Sequence, residues 1–174
     1  MKYPSRLVIT LLTLSAFIPL RAQTAPAAPV PPAESHQFDF WIGEWEVYGP
    51  QGRLVGHNKI EVVSGGFALL ENWSAVGGNS GKSINNYKRA TKQWQQYWVG
   101  SGGITTEYKG GLVDGKMVLV AEQLVPNRTS YFVRCTWTPN ADGSVLQQFE
   151  NSNDGGKTLT AGFAGLYKHP QKAP

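Results

Sequence analysis

From Glu44 to the end of the chain, short runs rich in Val, Ile, Thr and aromatic residues recur, and glycine cuts off nearly every one. Runs of that length and composition are strands, and the Gly, Asn, Asp and Pro between them are turn residues. The candidate strands are 45–49, 54–63, 67–76, 82–89, 93–99, 104–109, 116–124, 130–138, 144–151 and 158–168. Pro50-Gln51-Gly52, Ser64-Gly65-Gly66, Gly77-Gly78-Asn79, Ser101-Gly102-Gly103, Asp114-Gly115, Asp142-Gly143 and Asp154-Gly155 supply the turns. Connections this short join antiparallel neighbours. With at most one turn of helix at 38–42, the expected fold is all-β, an antiparallel up-and-down β-barrel of about 8 to 10 strands, because closure removes exposed edges. A two-sheet β-sandwich is the alternative.

The first 35 residues do not share this pattern. Lys2 and Arg6 precede an apolar run, residues 7–20, that ends near the small residue Ala22. That order is the one an export signal requires, and the run falls short of the ~20 apolar residues that span a bilayer. The expected organisation is a signal peptide at 1–22, a Pro/Ala-rich linker at 23–35, one barrel domain at 36–170 and a tail at 171–174, with the mature protein periplasmic or secreted and without a stable membrane anchor. The formal charge of +4 owes three of its basic residues, Lys2, Arg6 and Arg21, to the leader. What remains is near neutrality and has no basic cluster, which gives nucleic acid nothing to bind. Cys135 is the one cysteine, so no internal disulfide can form, and its place on the face shared by Tyr131, Val133 and Trp137 marks it as a buried, inert thiol.

Side-chain alternation carries polar groups inward. If Phe67, Leu69 and Trp73 face the axis, a period of two takes Glu71 with them, and Gln96 follows Trp94 and Trp98 in the same way. Keeping Lys88 in water turns Ser83, Asn85 and Tyr87 inward. The expected binding residues are therefore Glu71, Trp73, Ser83, Asn85, Tyr87, Trp94, Gln96 and Trp98, with Ser83, Asn85 and Tyr87 as the donors to Glu71. An unpaired buried carboxylate costs several kcal/mol, so partners or a polar cavity must accompany it.

The stretch Phe38-Asp39-Phe40-Trp41-Ile42-Gly43-Glu44-Trp45-Glu46-Val47 resembles the G-x-W opening of lipocalin-like (calycin) barrels. Glu71-Asn72-Trp73, Gly81-Lys82-Ser83 with Asn85 and Tyr87, Trp94-x-Gln96-x-Trp98, Arg134 with Trp137, and the run Ser152-Asn153-Asp154-Gly155-Gly156-Lys157-Thr158 follow in order. Together they are similar to a family of exported bacterial calycin-like proteins of unknown function. The resemblance implies a lipocalin-like barrel and carries over no catalytic residues. This chain departs from the pattern at Leu159, where Trp is usual, and at Lys168, where calycins often place an Arg near the opening Trp.

Other motifs fail on their mechanics. Gly156-Lys157-Thr158 and Gly81-Lys82-Ser83 lack the earlier glycine of a phosphate-binding loop, which would fall at Asn151 and Val76. Ser152–Thr158 resembles a propeller Asp-box, but a propeller repeats it, so a structural hairpin with Asp154 bonding nearby amides is expected. The three histidines lie far apart without metal-ligand spacing, and His57 shares an outward face with Lys59 and Glu61. Asn72-Trp73-Ser74 and Asn127-Arg128-Thr129 match a glycosylation pattern only formally. No cofactor and no metal is expected. The function indicated is binding of a small, partly polar or aromatic ligand inside the barrel. The alternatives are an enzyme that uses Glu71 as acid or base, and a protein-interaction module with a filled barrel.

Overall fold

The computed structural model describes residues 27–123 and 131–171. The leader, the start of the linker, Asn127 to Thr129 and the last residues of the tail lie outside them. Among the described residues ten strands close into one barrel: β1 Gly43–Tyr48, β2 Leu54–Val63, β3 Ala68–Ala75, β4 Ser80–Lys88, β5 Gln93–Gly100, β6 Thr105–Val113, β7 Lys116–Gln123, β8 Tyr131–Pro139, β9 Val145–Ser152 and β10 Thr160–Lys168. Each pairs antiparallel with its sequence neighbours, and β10 returns to β1 with Tyr167 opposite Val47. The up-and-down barrel replaces the sandwich alternative.

Three boundaries differ from expectation for identifiable reasons. β6 runs on through Gly110, because that glycine lets the Val118 carbonyl of β7 come so close that a Cβ would strike it. β10 begins later than residue 158, because Ser152 and Asp154 tie up the hairpin tip. The Ser152 hydroxyl accepts from the Gly156 amide at 2.9 Å, and Asp154 Oδ1 accepts from the Thr158 amide at 2.8 Å. The linker, expected as far as residue 35, gives way earlier to a 3-10 turn at Ala33–His36 with Ser35 buried.

Two ends of unequal character result. At the end where β1 begins, the chain crosses the barrel before entering it, and a second 3-10 turn, Asp39–Trp41, drops Phe38 and Trp41 into the opening. Phe38 stacks on Trp41 at 4.9 Å and meets Trp94 and Trp137 edge-on at 5.6 and 5.2 Å. Trp45, Val47, Met117, Leu119 and Val145 complete a plug from which water is excluded. Trp45 Nε1 donates to the Trp41 carbonyl at 2.9 Å, which ties the plug to the first strand. The residue lying over Trp45 is His169, its ring stacked at 3.9 Å. Lys168, where the resemblance placed the Arg substitute, points outward instead, with its ammonium over the Tyr48 ring at 5.8 Å. His169 lies just past the end of β10 and stays exposed, so its ring covers Trp45 from the rim of the barrel.

The outer wall is held by exposed polar ladders. Lys59 pairs with Glu61 at 3.0 Å, Asn72 donates to Glu61 at 3.1 Å, and Arg134 meets Glu150 across β8 and β9 at 2.7 Å. His57 is on this exposed face, as its alternation requires.

Candidate functional site

Above the plug the barrel interior turns polar. Glu71 of β3 lies opposite Ser83 of β4, and Asn85 lies opposite Gln96 of β5, so three adjacent strands present their polar residues at one height. Glu71 is 4% exposed. Its Oε1 accepts from Asn58 Nδ2 at 2.7 Å, and its Oε2 accepts from the Ser83 hydroxyl at 2.6 Å and from Gln96 Nε2 at 3.4 Å. Asn85 Nδ2 donates to the Ser83 oxygen at 2.8 Å and so holds the hydroxyl proton toward the carboxylate. From the far side of the barrel, the Tyr167 hydroxyl accepts from Asn58 at 3.3 Å and donates to Gln147 Oε1 at 2.8 Å. Gln147 Nε2 in turn reaches Cys135 Sγ at 3.5 Å. The Oδ1 atoms of Asn58 and Asn85 find no donor among the described residues.

This layer has the electrostatics of a buried anion with neutral donors. Burial raises the Glu71 carboxyl to about 6, while the bonds from Ser83 and Asn58 hold it below what desolvation alone would produce. The same desolvation, reinforced by the nearby Glu71 charge, lifts the Tyr167 phenol well above its ordinary value. Burial also raises the Cys135 thiol, against the opposing bond from Gln147, which agrees with the inert role read from its strand face.

Between this layer and the opposite end of the barrel lies a cavity of about 410 Å³. Glu71, Gln96, Gln147 and Tyr167 form its floor, and Trp73, Trp98, Phe149 and Phe163 form its aromatic walls. Ile104 and Phe163 are partly exposed and stand at its mouth. Glycines set the two tryptophans in place. A Cβ on Gly56 would overlap the Trp73 ring, and one on Gly81 would overlap the Trp98 ring, so each indole lies flat over a neighbouring strand that has no side chain there.

The expected site residues therefore divide by height. Glu71, Trp73, Gln96 and Trp98 line the cavity. Ser83 and Asn85 lie behind its floor and act through Glu71. Trp94 and Tyr87 are corrections: Trp94 belongs to the plug, with its indole N–H donating to Gln37 Oε1 at 3.2 Å, and Tyr87 packs against Trp94 at 6.4 Å and does not reach Glu71. Phe67, read as the first inward residue of its strand, sits just before β3 at the end of the turn Ser64–Gly66. Asn58, Gln147, Tyr167, Thr106 and Tyr108 were not anticipated. Asn58 was open to the same reasoning as Glu71, since His57 and Lys59 point outward on either side of it.

The described residues contain no group of three or more His, Cys, Asp or Glu side chains placed to hold a metal ion. They also contain no helix long and apolar enough to cross a membrane. The sequence matches no protein-family model and no curated protein.

Proposed function

We propose that this is an exported, calycin-like binding protein that carries or senses a small molecule in the open half of its barrel. The observation behind the reading is the cavity of about 410 Å³ over a polar floor that centres on the hydrogen-bonded Glu71 carboxylate, a volume within the usual range for small-molecule sites. A barrel serving only as an interaction scaffold has no need of such a space, and filling it with side chains would be more stable. Export is supported by the charged, apolar and small-residue order of the leader. Native mass spectrometry of the protein isolated from its own periplasm tests the reading. A retained small molecule that is lost on denaturation is the expected result, and an empty protein that takes up no aromatic probe in solution would refute it.

A second reading has one observation in its favour. A carboxyl with a pKa of about 6 beside a cavity is poised for proton transfer near neutral pH. Against it, both Glu71 oxygens already accept hydrogen bonds from the protein, which suits a recognition element better than a mobile proton carrier. Loss of turnover in Glu71→Gln with ligand binding retained would decide for the enzyme.

A further inference from the structure

We propose that the ligand is a small organic cation, with an ammonium or amidinium group seated on Glu71 and its apolar part held among the aromatic side chains of the mouth. The inference rests on the cavity-binding reading and names the chemical class that the cavity selects.

The charge on the wall is one-sided. Among the described residues lining the cavity Glu71 alone carries a formal charge, and none of them is a Lys, Arg or His that would compensate it. Its protein donors, Asn58, Ser83 and Gln96, are all neutral amides or hydroxyls. Among the described residues the one hydrogen bond given to Oε1 comes from Asn58, which leaves that oxygen acceptor capacity for a further donor. The layer as a whole has a surplus of acceptors, since Asn58 Oδ1 and Asn85 Oδ1 also lack donors among the described residues. An anion would meet uncompensated repulsion here, and a wholly apolar ligand would strip the remaining water from a carboxylate without replacing it. A cation answers both deficits. The walls favour it again, because Trp73, Trp98, Tyr108, Phe149 and Phe163 surround the space with π faces and edges, and a desolvated cation over such faces gains attraction.

The groups facing Glu71 identify what titrates. Asn58 faces it from β2, Ser83 and Asn85 from β4, Gln96 from β5, Thr106 and Tyr108 from β6, Cys135 from β8, Gln147 from β9 and Tyr167 from β10, while β1 and β7 contribute Val47 and Leu119. The Cys135 thiol and the Tyr167 phenol are both displaced upward and stay neutral around pH 6, leaving Glu71 as the carboxyl that changes charge there.

Benzamidinium, which stays charged between about pH 5 and about pH 8 and can donate N–H bonds, and its neutral isostere α-methylstyrene form a matched pair of probes. Their binding to the mature protein can be followed by tryptophan fluorescence and by calorimetry. With a carboxyl of pKa about 6, only about a tenth of the protein carries ionised Glu71 at about pH 5, so affinity for the cation should rise about tenfold between about pH 5 and about pH 8. At the upper pH the cation should bind about tenfold or more tightly than the neutral isostere. Glu71→Gln should abolish both the preference and the pH dependence while retaining α-methylstyrene. Near-UV circular dichroism checks that the variant is folded, and the wild-type pH series stands without it. If the neutral isostere binds as well as the cation at every pH, the cation inference is overturned and the binding cavity stands. If neither probe binds, both readings fall together.

Discussion

Glu71 holds its proton more tightly in the folded protein than in the unfolded chain, and the sign of its effect on stability follows from that. Between the ordinary carboxyl value of 4.5 and the folded value of about 6 the folded state binds more protons, so stability falls as pH rises. The contribution is fully present below about 4.5 and is lost once the pH passes about 6, a change on the order of 2 kcal/mol for a shift of this size. Urea midpoints measured across that window should decline for the wild type, and the decline should vanish in Glu71→Gln. The outlying turn carboxylates do not confuse the measurement, since hydrogen bonds lower Asp154 to about 2 and Asp142 also titrates below its usual range. A second residue test concerns space instead of charge. In Gly81→Ala the new methyl would occupy the place of the Trp98 ring, and forced repacking of this kind costs about 1–3 kcal/mol. A shifted tryptophan emission together with a lower denaturant midpoint is the expected outcome. That Glu71 and Gln96 would be buried was legible in the sequence, because each is flanked two positions away by apolar residues that must face inward. The height of each group along the axis was not. Alternation assigns a side chain to a face and says nothing of the level at which it enters, which is why Trp94 and Tyr87 were placed with a cavity they do not line.

At the scale of elements, the strands were read closely because glycine and Asp-Gly turns mark their ends. β2 was read with both of its limits as observed. β9 and β10, by contrast, supply Gln147 and Tyr167 to a floor otherwise built from β2 to β5, and no local pattern reveals which distant strands share a layer. The short turn Asp39–Trp41 matters more than its length implies, since it turns a segment outside the sheet into the barrel's stopper. Trp41 is completely buried against Phe38 and Trp137, so Trp41→Ala should cost about 3–5 kcal/mol in equilibrium unfolding. The loss should fall on stability and leave probe binding in the folded fraction intact, because the plug and the cavity lie on opposite sides of the polar layer.

For the whole molecule, plug, polar layer and cavity succeed one another along a single axis, so the domain divides the work by height and not by strand. Buried aromatic packing is concentrated at the stoppered end, and the mouth is left with exposed apolar groups such as Ile104 and Phe163. Closure depends on the pairing of Tyr167 with Val47 and on the stacking of His169 over Trp45, contacts that join the beginning of the domain to its end. Deleting the segment from Leu166 onward should therefore remove more than one edge. The expected result is a chain with no cooperative unfolding transition and with strong binding of a hydrophobic dye. The seam also sets the order of events at birth. A chain that emerges amino end first presents Trp41 and Trp45 while their carboxyl-terminal partners are still being made, and contacts so far apart along the chain form slowly. Under the proposed export of the chain as an unfolded thread through a narrow channel, such late completion is an advantage: the barrel cannot snap shut before its last strand has been delivered to the other side.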